Sequence, residues 1–215
     1  MNTNSLLRSS SVMALGTIVS RITGLIRGLL LVAVLGTTLL GDTFNVANTM
    51  PNILYNLIIG GALTAVFVPQ IVRSASDKDG GSAFISRLVT ATSVFLGGLV
   101  LLAVLFAPLL VRIFATSYIG HPAFHVTTLF MRFCLPQIFF MGLFALLAQV
   151  ANAKDRFGPM MWAPVLNNVI AIVVFGWYYQ KQITHTVENI PTSEILALGL
   201  GSTLGYVAQA FILIP

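Results

Sequence analysis

The chain has 215 residues, 57% of them hydrophobic and only 8% charged, with a mean hydropathy of +0.93 and a formal net charge of +5. Soluble domains carry about 25% charged residues, so the composition excludes a water-soluble globular protein. Eleven Lys and Arg form no basic stripe, which argues against nucleic acid as a partner, and one cysteine excludes an internal disulfide or a Cys-based metal cluster.

A membrane-spanning helix needs about 20 mostly apolar residues. Six segments meet that requirement: 12–36, 43–72, 88–111, 126–152, 159–180 and 195–215. The expected fold is therefore all-α, a polytopic membrane helix bundle of six transmembrane helices. No segment shows the period-2 alternation of a barrel. The apolar run after Arg8 is too long for a signal peptide, contains two arginines and lacks a small-residue cleavage site. With the N-terminus inside, the cytoplasmic side holds Arg8, Arg73, Lys78, Arg87, Lys154 and Arg156, and the outside holds Arg112 and Lys181. That distribution obeys the positive-inside rule.

The first segment contains "SRITGLIR", residues 20–27. A charge at the centre of a bilayer costs roughly 2.5–3.5 kcal/mol on insertion scales, so Arg21 and Arg27 must face protein or water. Each lies three positions from Gly24, about 60° to either side of it, with ~9 Å between them along the axis. Gly16, Ser20, Gly24 and Gly28 form a small-residue row that overlaps this sector, suited to close helix approach or bending. One reading pairs each arginine with a carboxylate in the bundle. The only acid near membrane depth is Asp42, at the outer end, so the charge balance favours an anion-binding cavity.

The second segment carries Asn45, Asn48, Asn52 and Asn56 at spacings of three and four, hence on one face. These amides face either the cavity or a neighbouring helix, where interhelical bonds contribute ~0.6 kcal/mol each. Pro51 is expected to kink this helix, and Gly60, Gly61, Thr64 and Ala65 suggest a second close-packing patch. Arg132 lies within the fourth segment, and Cys134 beside it reads as a small core residue. His121 and His125 have metal-pair spacing but flank Pro122 in an outer loop without a third ligand, so no metal is expected. In the fifth segment, Pro159 and Pro164 suit a helix start and a kink, Trp162 suits an interface, and Asn167 and Asn168 lie deeper. His185 reads as an isolated, solvated loop histidine. Gly201 and Gly205 form a GxxxG pair in the sixth segment, which ends at "AFILIP" without a polar or basic flank, and the chain is expected to be part of a longer one. Nothing supports catalysis: there is no phosphate-cradling glycine loop and no Ser-His-Asp arrangement, and no cofactor is expected.

"SRITGLIRGLLLVAVLG", "GDTFNVANTMPNILYNLIIGGALTAVFVP" and "NAKDRFGPMMWAPVLNNV" together resemble the amino-terminal half of the MurJ/MviN lipid II flippases, within the multidrug/oligosaccharidyl-lipid/polysaccharide exporter superfamily. The Tyr-Asn and Gly-Gly variants resemble the actinobacterial branch. The resemblance covers all six segments and implies the first lobe of a two-lobed flippase of about 14 helices around a cationic cavity, the carboxy-terminal lobe lying beyond this chain. It implies a multi-pass protein of the bacterial plasma membrane, among membrane lipids, that moves undecaprenyl-diphosphate-linked disaccharide-pentapeptide to the outer leaflet. By motif, Ser20, Arg21 and Arg27 match cavity-lining residues, Asp42 the acid at the outer end and Asn52 the amide of the second helix. With Gly24 and Asn48 from the residue reading, these form the candidate substrate-binding set. Three positions depart from the family pattern: Gly28 stands where an acid is common, Tyr55 for an Arg and Gly60 for a Glu.

The mechanism so implied is alternating access, with a diphosphate held by arginine forks and the lipid tail left in the bilayer. Two rivals are another exporter of the superfamily and a membrane scaffold for cell-wall enzymes. Organic cations prefer acidic cavities, so Arg21 and Arg27 oppose a drug exporter.

Overall fold

In hydrocarbon every backbone amide must be satisfied within its own segment, which makes apolar runs of this length helical. The computed structural model describes residues 3–58, 68–74, 81–153, 157–181 and 185–213, and among these the regular elements are helices. They are α1 (Thr3–Leu35), α2 (Leu39–Ile58), α3 (Val68–Ser74), α4 (Ser82–Leu105), α5 (Ala107–Phe114), α6 (Pro122–Cys134), α7 (Gln137–Ala153), α8 (Phe157–Gln180) and α9 (Thr192–Phe211). Among the described residues, four stretches are long and apolar enough to cross a membrane: Ser11–Leu35, Ser82–Leu105, Pro122–Ala153 and Gly158–Gln180. The expectation of six spans is thus met by length and hydropathy at four of them. The other two candidates, α2 and α9, are 20 residues each. They carry more polar side chains, including the asparagines of α2 and Glu194 of α9.

Two expected single helices are broken. The third segment divides at Phe106 into α4 and α5, where Pro108 at the start of α5 cannot donate its amide back into α4. The fourth divides at Leu135 and Pro136 into α6 and α7 for the same reason. Pro51 and Pro164 instead lie inside helices that continue through them. The second segment ends as α2 at Ile58 and resumes as the short α3. The Gly60, Gly61, Thr64 and Ala65 patch lies outside the described residues, as do Lys78, Lys154 and Arg156.

The turn from α1 to α2 is tight. Gly36 takes the left-handed conformation, φ +67°, and its amide donates to the Val32 carbonyl at 2.8 Å. That is the helix-ending geometry glycine supplies without a Cβ penalty. Thr38 then caps α2, its hydroxyl donating to the Leu35 carbonyl at 2.7 Å and accepting from the Gly41 amide at 3.4 Å. His121 caps α6, its Nδ1 accepting from the Ala123 amide at 3.1 Å.

Around the bundle, α1 packs against α8, α8 against α9, α9 against α6 and α7, and α6 against α2, while α1 and α2 barely touch. Outside this ring, α4 lies on α7 and α5 on α6. At the centre Phe44 of α2 meets Phe130 of α6 and Phe175 of α8 edge-on, at 5.2 and 5.9 Å between centroids. Such edge-to-face pairs contribute about 0.5–1.5 kcal/mol each beyond area burial. Leu15, Ile18, Ile22, Leu25 and Leu29 of α1 remain exposed, as a lipid-facing surface requires.

Candidate anion-binding site

The small-residue row of α1 sets where its arginines go. A Cβ at Gly16 would lie 3.2 Å from Met161 Cβ of α8, and one at Gly24 would lie 3.5 Å from Asn168 Nδ2. At Gly28 nothing stands within 4 Å. Gly16, Ser20 and Gly24 therefore form the seam with α8, and Gly28 opens away from it. Asn168 crosses that seam, its Nδ2 donating to the Ser20 carbonyl at 3.0 Å and to Thr23 Oγ1 at 3.2 Å. Ser20 and Gly24 are thus placed within the helix contact rather than beside open space.

Arg21 and Arg27 leave the seam in different directions. Arg21 is exposed, and Arg27 is half-buried. Neither arginine is in an ion pair among the described residues, where the one close acid–base contact is His185 with Glu194. Asp42, in the first turn of α2, is exposed and pairs with neither arginine. Its carboxylate instead lies near Tyr118, whose hydroxyl is pushed above its ordinary value by burial first and by Asp42 second.

The amide stripe of α2 is divided. Asn45, Asn52 and Asn56 are exposed, and Asn56 Nδ2 donates to Asn52 Oδ1 at 2.6 Å and to the Asn52 carbonyl at 2.9 Å. Asn48 is half-buried and accepts from Nε2 of Gln137 at 3.1 Å, a tie to α7. The structure therefore leaves Arg21, Asn45 and Asn52 on open faces, turns Arg27 inward, and commits Asn48, Ser20 and Gly24 to helix contacts.

Sequence reasoning passed over Glu194, Ser202 and Gln209 and placed His185 in solvent. Glu194 is buried at the start of α9, accepting from the Tyr178 hydroxyl at 2.6 Å. His185, expected to be solvated, is half-buried with Nε2 2.8 Å from the same carboxylate oxygen, near in distance but not aimed as a hydrogen bond. Asn167 Oδ1, Ser202 Oγ and Gln209 Oε1 are buried without a hydrogen-bond partner. These residues lie on α8 and α9. The signal was present for Asn167, whose depth in an apolar run marks it as interior, but Ser202 and Gln209 become interior only through the packing of α9.

A bundle of apolar helices whose first membrane-length stretch, Ser11–Leu35, carries two arginines with no ion pair among the described residues is an integral membrane protein of the multi-pass class. The lipid II flippase MurJ family model matches residues 31–215. The chain belongs to that family. It is 29% identical over 190 residues to the probable lipid II flippase MurJ of Rickettsia prowazekii (strain Madrid E), covering 86% of this chain and 38% of the relative. It is 30% identical over 180 residues to that of Rhizobium meliloti (strain 1021), covering 81% and 34%. With that of Vibrio cholerae serotype O1 it shares 26% over 220 residues, covering 98% and 40%. The chain thus spans well under half the length of these relatives. The solved structure of a lipid II flippase MurJ in an inward closed conformation shares the fold, with a TM-score of 0.68 over 94% of this chain and 41% of that one, at 23% identity.

Proposed function

We propose that this chain is the amino-terminal lobe of a lipid II flippase. In this reading the intact protein moves the diphosphate-linked peptidoglycan precursor across the bacterial plasma membrane by alternating access. The observation that carries the reading is Arg21 and Arg27 at membrane depth without an acid paired to either among the described residues. Such a pair needs an anion, and the guanidinium fork matches phosphate oxygens bidentately while staying charged at any physiological pH. Arg21 meets the head group from the open side and Arg27 from the interior. Asn45 and Asn52 supply neutral donors for sugar or peptide, Asp42 sits at the outer mouth, and Ser20, Gly24 and Asn48 hold α1 and α2 in place. The N-terminus lies in the cytoplasm, so the head group leaves toward the Gly36 turn. Membrane potential biases any net charge moved by ~2.3 kcal/mol per charge per 100 mV.

The test uses the intact protein. Arg21→Ala and Arg27→Ala are each expected to fail to restore growth in flippase-depleted cells, and to weaken binding of labelled lipid II about tenfold or more, the size of a lost charged hydrogen bond. Growth with both changes would reject the head-group role. Normal growth with no lipid II binding at all would favour the scaffold reading.

A further inference from the structure

Arg132 is the third arginine at membrane depth, and it points the other way. It sits in α6 within the 32-residue apolar stretch Pro122–Ala153, ten residues and so about 15 Å from the start of that helix. It is exposed, as is His125 two turns before it on the same stripe, with half-buried Leu129 between. It makes no ion pair among the described residues: Glu194 is committed to Tyr178 and His185, and Arg112 of the adjoining α5 is another cation, 5.9 Å over the Phe124 ring.

The direction of Arg132 follows from the α6–α9 contact. A Cβ at Gly199 of α9 would meet Phe133 Cβ, and Thr203 Oγ1 donates to the Phe133 carbonyl at 2.7 Å, so Phe133 marks the line where the two helices touch. One residue further along each helix in the inward direction, Cys134 of α6 and Ser202 of α9 are buried. About 100° the other way stand Arg132 on α6 and Leu200 and Leu204 on α9, all exposed. Arg132 therefore borders an apolar row, Leu196, Leu200 and Leu204, exposed by 42, 38 and 55%. The amide stripe of α2 lies on the far side, since α2 buries its opposite face, with Phe44, against Phe130 of α6. This is a site apart from Arg21 and Arg27.

We infer that the Arg132 face of α6 holds the phosphate of an anionic phospholipid, with an acyl chain lying along Leu196, Leu200 and Leu204 of α9. An arginine facing hydrocarbon must find a counter-charge or reach the interface. Its Cβ is tilted toward the helix N-terminus, which carries the guanidinium toward the head groups on the His125 side. The fork then takes a phosphate bidentately, and the leucine row gives the chain an apolar wall. With the N-terminus of the protein in the cytoplasm, the lipid belongs to the outer leaflet. The inference rests on span, charge and exposure, and not on which substrate is transported.

The test places the intact protein in nanodiscs of phosphatidylcholine with a minor fraction of phosphatidylglycerol, and counts retained lipids by native mass spectrometry. One site is expected to prefer phosphatidylglycerol about tenfold. Arg132→Gln should remove that preference, Arg132→Lys should keep much of it, and the Arg21→Gln/Arg27→Gln double variant should leave it unchanged. An unchanged preference in Arg132→Gln, or its loss in the double variant, overturns the inference. A measurement on the unaltered protein guards against a variant that does not fold. A photoactivatable phosphatidylglycerol should label peptides 122–134 and 192–211, and excess phosphatidylglycerol should compete better than phosphatidylcholine. Absence of label there, as when a second lobe or another protein covers this face, also overturns it.

Discussion

Asn168 shows how one side chain can fix a helix pair in a medium where apolar contact alone gives little specificity. Lipid tails are as apolar as leucine, so helices associate through close packing and interhelical hydrogen bonds. Asn168 supplies two such bonds to α1 where Gly24 lets it approach. At ~0.6 kcal/mol per bond, Asn168→Ala is expected to cost about 1 kcal/mol, readable as a shift in detergent-induced unfolding of the intact protein. Gly16→Val should cost more, about 1–3 kcal/mol, because Met161 Cβ and the Met161 carbonyl oxygen stand 3.2 and 3.3 Å from the first added carbon. Gly28→Ala, with open space around it, should be neutral or slightly stabilising in the same assay. The spacing of the glycines was legible as a close-approach row. Its partner was not, because Asn168 is 148 residues from Ser20 in sequence and periodicity carries no information about which helices meet.

The hairpin of α8 and α9 applies the same logic to whole elements. Gly201 lies against Val174 and Gly205 against Asn167, so the GxxxG pair is a packing surface for α8. At the other end Tyr178 and Glu194 close the hairpin through a buried 2.6 Å hydrogen bond. Gly205→Ala should be destabilising by about 1–3 kcal/mol, since its Cβ would collide with Asn167 Oδ1 and lie 3.0 Å from that residue's carbonyl oxygen. Gly97→Ala and Gly98→Ala in α4 meet nothing within 4 Å and serve as controls in a thermal-unfolding comparison. Tyr178→Phe removes the hydroxyl from a buried carboxylate and should cost about 1–3 kcal/mol. Apolar runs and glycine spacing made these elements legible from sequence. The breaks at Phe106 and Pro136 were harder, because a proline inside a run either bends a helix or ends it according to what neighbours supply: α2 and α8 continue through theirs. His185 read as a solvated loop residue because its burial comes from the meeting of Glu194, at the start of α9, with Tyr178 of α8, which periodicity does not reveal.

At the scale of the molecule, the roles proposed for Arg21 and Arg27 and for Arg132 both depend on which way the chain crosses the membrane. Lys181 lies 4.0 Å over the Trp177 ring at the C-terminal end of α8, and an aromatic–cation pair of this kind suits a membrane interface. With Arg112, Lys181 accounts for all the Lys and Arg assigned to the outer side, against six on the inner, so the positive-inside rule predicts that this end lies outside. Labelling by a membrane-impermeant maleimide checks this directly. The native Cys134 is fully buried, which leaves a quiet background for introduced thiols. Thr37→Cys in the α1–α2 turn and Ser117→Cys before α6, both at exposed positions, should label in intact cells. Asn152→Cys, exposed near the end of α7, should label only after permeabilisation. The reverse pattern would turn the lobe over. It would then put Asp42 and the Gly36 turn at the cytoplasmic mouth and Arg132 in the inner leaflet, and the proposed inside-to-outside path past Arg21 and Arg27 would run backwards. Labelling of all three positions in intact cells would instead mean that α6 and α7 do not cross as one span, and that the break at Pro136 is a re-entrant turn.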